Sequence, residues 1–168
     1  MPTQEETQAA NAVAQLRTRI EERRRAGWEH QRKVAAGEVI GDELLPQLRD
    51  NRTMINLGRE FLRAAERGNA PMVAAFIEEG FPAKFQDRLT GETALHISAA
   101  TGARKVLRVL LGSGLCDFLL RDKGGRLASE LAYLFGKDPA AARLLGIKER
   151  KQAEDTGITL TRRPKPLQ

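Results

Sequence analysis

Two stretches of this chain repeat each other. FLRAAERGNAPMVAAFIEEG at 61–80 aligns with LHISAATGARKVLRVLLGSG at 95–114 at a constant offset of 34 residues. Ala65 falls on Ala99, Gly68 on Gly102, Val73 on Leu107, Ile77 on Leu111 and Gly80 on Gly114. A fixed period of this length marks a stacked array of like units, and it constrains the fold more than any single residue does. A third copy is read at an offset of 33: DKGGRLASELA at 122–132 places Gly124 on Gly91, Arg126 on Thr93 and Ala132 on Ala99. FGKDPAAARLLGI then supplies a second helix, with Asp138 as its cap and Pro139 at its first position.

The middle copy shows how one unit works. Thr93 caps a short helix populated by Leu95, Ile97 and Ala99. Small residues at 98–100 permit close helix approach, and Gly102 permits a tight reversal. Val106, Leu107, Val109, Leu110 and Leu111 make a second helix that is apolar on most sides, ended by Gly114 in a left-handed conformation. Such a helix pair cannot bury its own apolar surface, so it stacks on its neighbours.

These residues resemble the ankyrin repeat. Gly91, Thr93, Leu95, His96, Ser98–Ala99, Gly102, Val106–Leu107, Leu110–Leu111 and Gly114 follow its pattern. Ala94 stands where that pattern has proline, and Leu115–Cys116 where it has Ala-Asp. The resemblance implies an all-α solenoid of about three helix-pair repeats preceded by N-terminal helices. The repeats are read as 57–89, 90–122 and 123–147, after an extension at 1–56 that caps the first repeat or binds a partner. A basic, flexible tail follows at 148–168. The resemblance also implies protein binding through loop tips and exposed positions of each first helix, with no catalysis. The candidate contact residues are then Arg63, Glu66 and Arg67; Arg88, Thr90, Ile97, Ala100 and Thr101; and Arg121, Lys123, Arg126, Glu130 and Tyr133. Thr93, Leu95, His96, Gly102 and Gly114 are read as structural. In the repeat pattern the histidine bonds around the Thr at its own helix start and the adjoining loop.

Outside the repeats, residues 5–35 have helical periodicity through Val13, Leu16 and Ile20, with an arginine-rich opposite side. AAGEVIGD at 35–42 interrupts it. Asp42 is a candidate cap for a short helix bearing Leu44, Leu45 and Leu48, with Pro46 in its first turn. RTRIEERRRAGWEHQRK carries the single tryptophan, Trp28, a candidate hot spot if exposed. Its cations are read as a solvated face with internal pairs such as Glu21–Arg25 and Glu29–Lys33. The tail holds two weak signals: ITLT as an added strand and RRPKPL as a linear motif.

The chain of 168 residues carries a net charge of +6. The charge is uneven: 1–52 is balanced, while 53–147 and 148–168 each carry an excess of three cations. The loop tips are mainly basic, which points to a partner with an acidic patch. A lone cysteine, Cys116, excludes an internal disulfide and a thiolate metal site, and fits a reducing compartment. It is read as a small, semi-buried apolar residue. His96 and His30 lie in different regions, and no His-Glu-x-x-His or phosphate-loop spacing occurs. No cofactor, metal or small-molecule ligand is therefore expected. The start lacks a basic-then-apolar leader, and no apolar run is long enough to span a membrane, so a cytoplasmic location is expected.

The resulting expectation is a non-enzymatic, arginine-biased and so bacterial adaptor or regulator. One alternative is an effector exported without a signal peptide. Another is a nucleic-acid-associated protein using the helix at 15–33 and the basic tail.

Overall fold

In the computed structural model of the chain, residues 1, 3–35 and 44–161 are described, with side chains throughout except at 23–35, 44–51, 53 and 54. Seven helices and no strands occur among the described residues: α1 (Gln4–Ala35), α2 (Leu44–Glu66), α3 (Ala70–Glu78), α4 (Ala94–Thr101), α5 (Arg104–Ser113), α6 (Ala128–Leu134) and α7 (Pro139–Thr156). They form two rows. In one, α4 packs between α2 and α6; in the other, α3 packs between α1 and α5, and α7 packs on α6.

Each turn follows from local chemistry. Asn69 caps α3 by accepting from the Met72 amide, with Pro71 in the first turn. Thr93 caps α4, and Gly102 closes it at φ 69°. Asp138 caps α7 by accepting from the Ala141 amide, and Gly157 closes it at φ 69°. Asp138 also receives a two-pronged bond from Arg104, at 2.7 and 3.0 Å, which ties α5 to the start of α7.

The core is aliphatic along most of the stack, but the first repeat has an aromatic centre. The rings of Phe61, Phe76 and Phe81 lie 5.1–5.4 Å apart, and Phe85 lies 5.7 Å from Phe81. α1 joins this core through Leu16 and Ile20, which are buried, and Val13, which packs at its edge. Gly91 sits at φ 71°, and a Cβ there would press on the Lys123 amide 2.8 Å away.

Three sequence expectations change. First, α2 is a single helix running unbroken across residues 56 and 57, so the N-terminal part and the first repeat share one element. Second, the third repeat lies at an offset of 34: Gly125, at φ 74°, takes the place of Gly91, and Leu127 takes the N-cap place of Thr93. Arg126 is thus not the cap. Third, the segment after 147 does not begin as a flexible tail. α7 continues to Thr156, with Glu149 and Ala153 buried. Residues 158–161 form no strand. Asp42 and the RRPKPL segment lie outside the described residues.

Candidate functional site

The loops 82–92 and 117–126 project beside one another and are stitched together. Within the first, the Gly91 amide donates to the Asp87 carbonyl at 2.8 Å and the Asp87 amide to the Glu92 carbonyl at 2.9 Å. Within the second, the Asp122 amide donates to the Arg126 carbonyl at 3.0 Å. Between them, the Lys123 amide donates to the Thr90 carbonyl at 2.9 Å, and Gln86 bridges the Gly91 and Arg121 carbonyls.

His96 holds this edge to α4. Its Nδ1 lies 2.8 Å from the Thr93 hydroxyl and 3.3 Å from the Thr93 amide, and its Nε2 lies 3.1 Å from the Arg126 carbonyl. An amide donating to Nδ1 assigns the proton to Nε2, which then donates to the carbonyl. Burial pushes the imidazole below the ordinary histidine range, and the Arg126 carbonyl opposes that. Both ring nitrogens are engaged, so the ring braces the loop against α4. Thr93, Leu95 and His96 are buried, while Gly102 and Gly114 terminate their helices in left-handed conformations.

Two acidic side chains of the edge are satisfied within their own loops. Asp87 accepts from the Leu89 and Thr90 amides and the Thr90 hydroxyl, and these bonds, the Thr90 amide first, hold its carboxyl below the usual range. Asp122 is buried and is held by the Arg126 Nε at 2.8 Å and the Arg126 amide at 2.9 Å. The cations divide into two groups. Arg88 and Lys123 at the loop tips, and Arg63 and Arg67 at the end of α2, are exposed and have no ion-pair partner among the described residues. Arg126 is only 29% exposed and is committed to Asp122 and the Phe135 ring. Arg121 is half-buried and donates to the Gly125 and Thr161 carbonyls.

The other sequence candidates scatter. Glu66 and Thr101 are exposed, and Ile97 and Ala100 are half-buried on α4. The Thr101 hydroxyl donates to the Ile97 carbonyl. Thr90 is exposed but works as a turn builder, its hydroxyl accepting from the Glu92 amide. Glu130 is half-buried and accepts from the Leu127 amide at 2.7 Å. Tyr133 is exposed, but in a groove it shares with α7. Trp28 lies outside the residues whose side chains are described. Sequence reading missed Arg59, which is exposed, four residues before Arg63 on α2, and close enough to Asp87 to help hold its carboxyl below the usual range. The four-residue spacing 59, 63, 67 was the available signal.

The expected pairs within the arginine-rich helix, Glu21–Arg25 and Glu29–Lys33, involve side chains outside those described, and its described arginines pair with other helices. Arg17 meets Glu78 at 2.7 Å and Arg19 meets Glu60 at 2.5 Å, so these two guanidiniums face the chain's own carboxylates. Cys116 donates toward the Leu110 carbonyl, and burial pushes its thiol up to about 11. Among the described residues no three His, Cys, Asp or Glu side chains are grouped as metal ligands would be, and no helix is long and apolar enough to cross a membrane.

In comparison with known families, a model of ankyrin repeats in three copies matches residues 61–155, more than half of the chain. No curated protein matches it.

Proposed function

The chain belongs to the ankyrin-repeat family, and on that premise we propose that it is an adaptor or regulator that holds an acidic surface of a partner protein along its basic loop edge. Ankyrin repeats are typically protein–protein interaction modules and are generally non-catalytic. One observation carries the acidic partner: two carboxylates of the edge, Asp87 and Asp122, are bonded within their own loops, while Arg63, Arg67, Arg88 and Lys123 are exposed without ion-pair partners among the described residues. Unpaired cations beside internally satisfied acids leave the edge with an excess of positive charge, Glu66 being exposed among them, and such an excess favours an oppositely charged partner.

The test is capture from native cells with mass spectrometry, repeated with Arg63→Glu/Arg88→Glu/Lys123→Glu. Arg126 is left alone, because reversing it would strand the buried Asp122 and confuse binding with folding. The triple variant should melt like the parent and lose the acidic partner. Retention of the same partner at unchanged affinity would reject this surface.

A further inference from the structure

Both ends of the stack carry an open groove, but the linings differ: the one between α1 and α3, of about 720 Å³, is lined mainly by small side chains such as Ala9, Ala10, Ala14, Ala74 and Ala75. At the start, α1 lies along α3, burying Leu16 and Ile20 and bringing Arg17 to Glu78 and Glu79, and Arg19 to Glu60. At the other end, α6 and α7 leave an open groove of about 780 Å³. Tyr133, Leu134 and Ile147 line it and are 66%, 56% and 54% exposed. A polar outer face is the usual finish for a terminal repeat, and a contiguous apolar patch marks an interaction site.

The rim of this groove has one dominant sign. Arg143 and Arg150 stand seven residues apart on α7 and line it. Arg143 bonds only to the Pro139 carbonyl of its own helix, and Arg150 has no partner among the described residues. The neighbouring carboxylates are engaged. Glu130 accepts from the Leu127 amide, and the buried Glu149 accepts from the Ser129 amide and hydroxyl at 3.1 and 2.7 Å.

We propose that this groove is a second docking surface, separate from the loop edge, and that it takes an amphipathic α-helix of a partner protein with carboxylates flanking its apolar stripe. The seven-residue separation of the two arginines spans about 10 Å along α7, which matches carboxylates two turns apart on an incoming helix. A Cβ at Gly146, midway between them, would meet nothing within 4 Å, so a helix can approach closely there. α1 displays the same mode with the signs exchanged: an apolar stripe seated between helices, with arginines meeting glutamates. Charge also argues against the C-terminal segment and the α1 of a second copy as occupants. Residues 162–168 carry Arg162, Arg163 and Lys165 and no acid, and the α1 of a second copy would bring Arg17 and Arg19 toward like charges.

The experiment uses the full chain and two fluorescein-labelled helical peptides of about 18 residues. Both carry leucines at i, i+3, i+4 and i+7. One is flanked by glutamates seven apart and the other by lysines. Fluorescence anisotropy at low salt should show the glutamate peptide binding at least about tenfold more tightly. Arg143→Glu/Arg150→Glu should invert that preference. Gly146→Gln should block both peptides, and Arg88→Glu/Lys123→Glu should change neither. All the substituted arginines and Lys123 are exposed, and circular dichroism checks that each variant keeps its helicity. Equal affinity for the two peptides, no binding of either, or indifference to the Arg143/Arg150 reversal would overturn the proposal. A concentration-dependent dimer in sedimentation that Ile147→Asp abolishes would overturn it in favour of a second copy as occupant. Because the loop-edge variant is a separate arm, failure here leaves the acidic-partner reading of that edge standing.

Discussion

Replacing Leu16 by alanine tests whether α1 is a working part of the stack. Leu16 is 2% exposed and belongs to the same core as Phe61, Val73 and Phe76. The change removes three carbon groups, worth about 0.8 kcal/mol each in transfer from water. The cavity left behind raises the cost, and buried Leu→Ala changes fall at about 3–5 kcal/mol. For a chain of this size each kcal/mol moves Tm by about 2–4 °C, so the variant should melt about 6–20 °C below the parent. Arg17→Ala is the control. Its guanidinium is half-exposed, and a pair of that kind contributes about 1 kcal/mol or less. The assay is thermal unfolding by circular dichroism at 222 nm, a wavelength that reports all the helices at once, supported by calorimetry. In a nearest-neighbour stack a cap that stabilises the first repeat should lower a single cooperative transition when it is weakened. If Leu16→Ala melts within about 2 °C of the parent, or an early α1 transition separates while the main one stays fixed, α1 is an appendage and the capping argument fails.

Three other outcomes follow from the geometry. Arg126→Ala should cost about 3 kcal/mol by leaving the buried Asp122 without its cation, whereas Lys123→Ala on the same loop should leave urea unfolding unchanged; equal effects would refute the division between structural and exposed cations. Burial depresses the folded pKa of His96, so its contribution to stability is fully present above the unfolded value of 6.5 and is lost as pH falls through the depressed folded value. Glu149 is shifted up by burial, which works in the opposite direction, so the comparison must be with His96→Gln: the parent should lose more Tm than this variant on acidification from pH 7.5 to pH 5.5, and parallel pH profiles would refute it. Cys116, with its thiol pushed up to about 11, should react with a disulfide reagent at pH 8 far more slowly than free cysteine, and comparable rates would contradict its burial.

What could be read from sequence was what short-range chemistry writes down. The middle repeat carries its cap, brace and turn within a few residues, at Thr93, His96 and Gly102, so its fold was legible residue by residue. The third repeat lacks that signature. Leu127 occupies the cap position; Glu130 accepts from the cap amide as His96 does in the middle repeat, and Glu149, twenty residues beyond Ser129, accepts from a first-turn amide in place of a threonine cap. With no local marker the alignment slipped by one residue, and Arg126 was read as an exposed tip when it is the partner of a buried acid. The surface was legible as a balance of charge but not as a pattern. Nothing in the spacing of Asp87 or Asp122 says that they bond inward, and that decides which cations are left over. The end groove has no signature in the sequence, because the repeat pattern ends at 147 and leaves Arg150 outside any expected helix.

The reach of Glu149 to Ser129 also sets an order of events during synthesis. Two amides at the start of α6 find their acceptors on Glu130 and Glu149, and the Phe118 amide finds its own on Gln152 at 2.7 Å. A nascent chain that has released α6 but still holds residues 149–152 in the ribosomal tunnel lacks two of these fasteners. The last repeat therefore gains its full set of fasteners only once residues 149–152 have emerged.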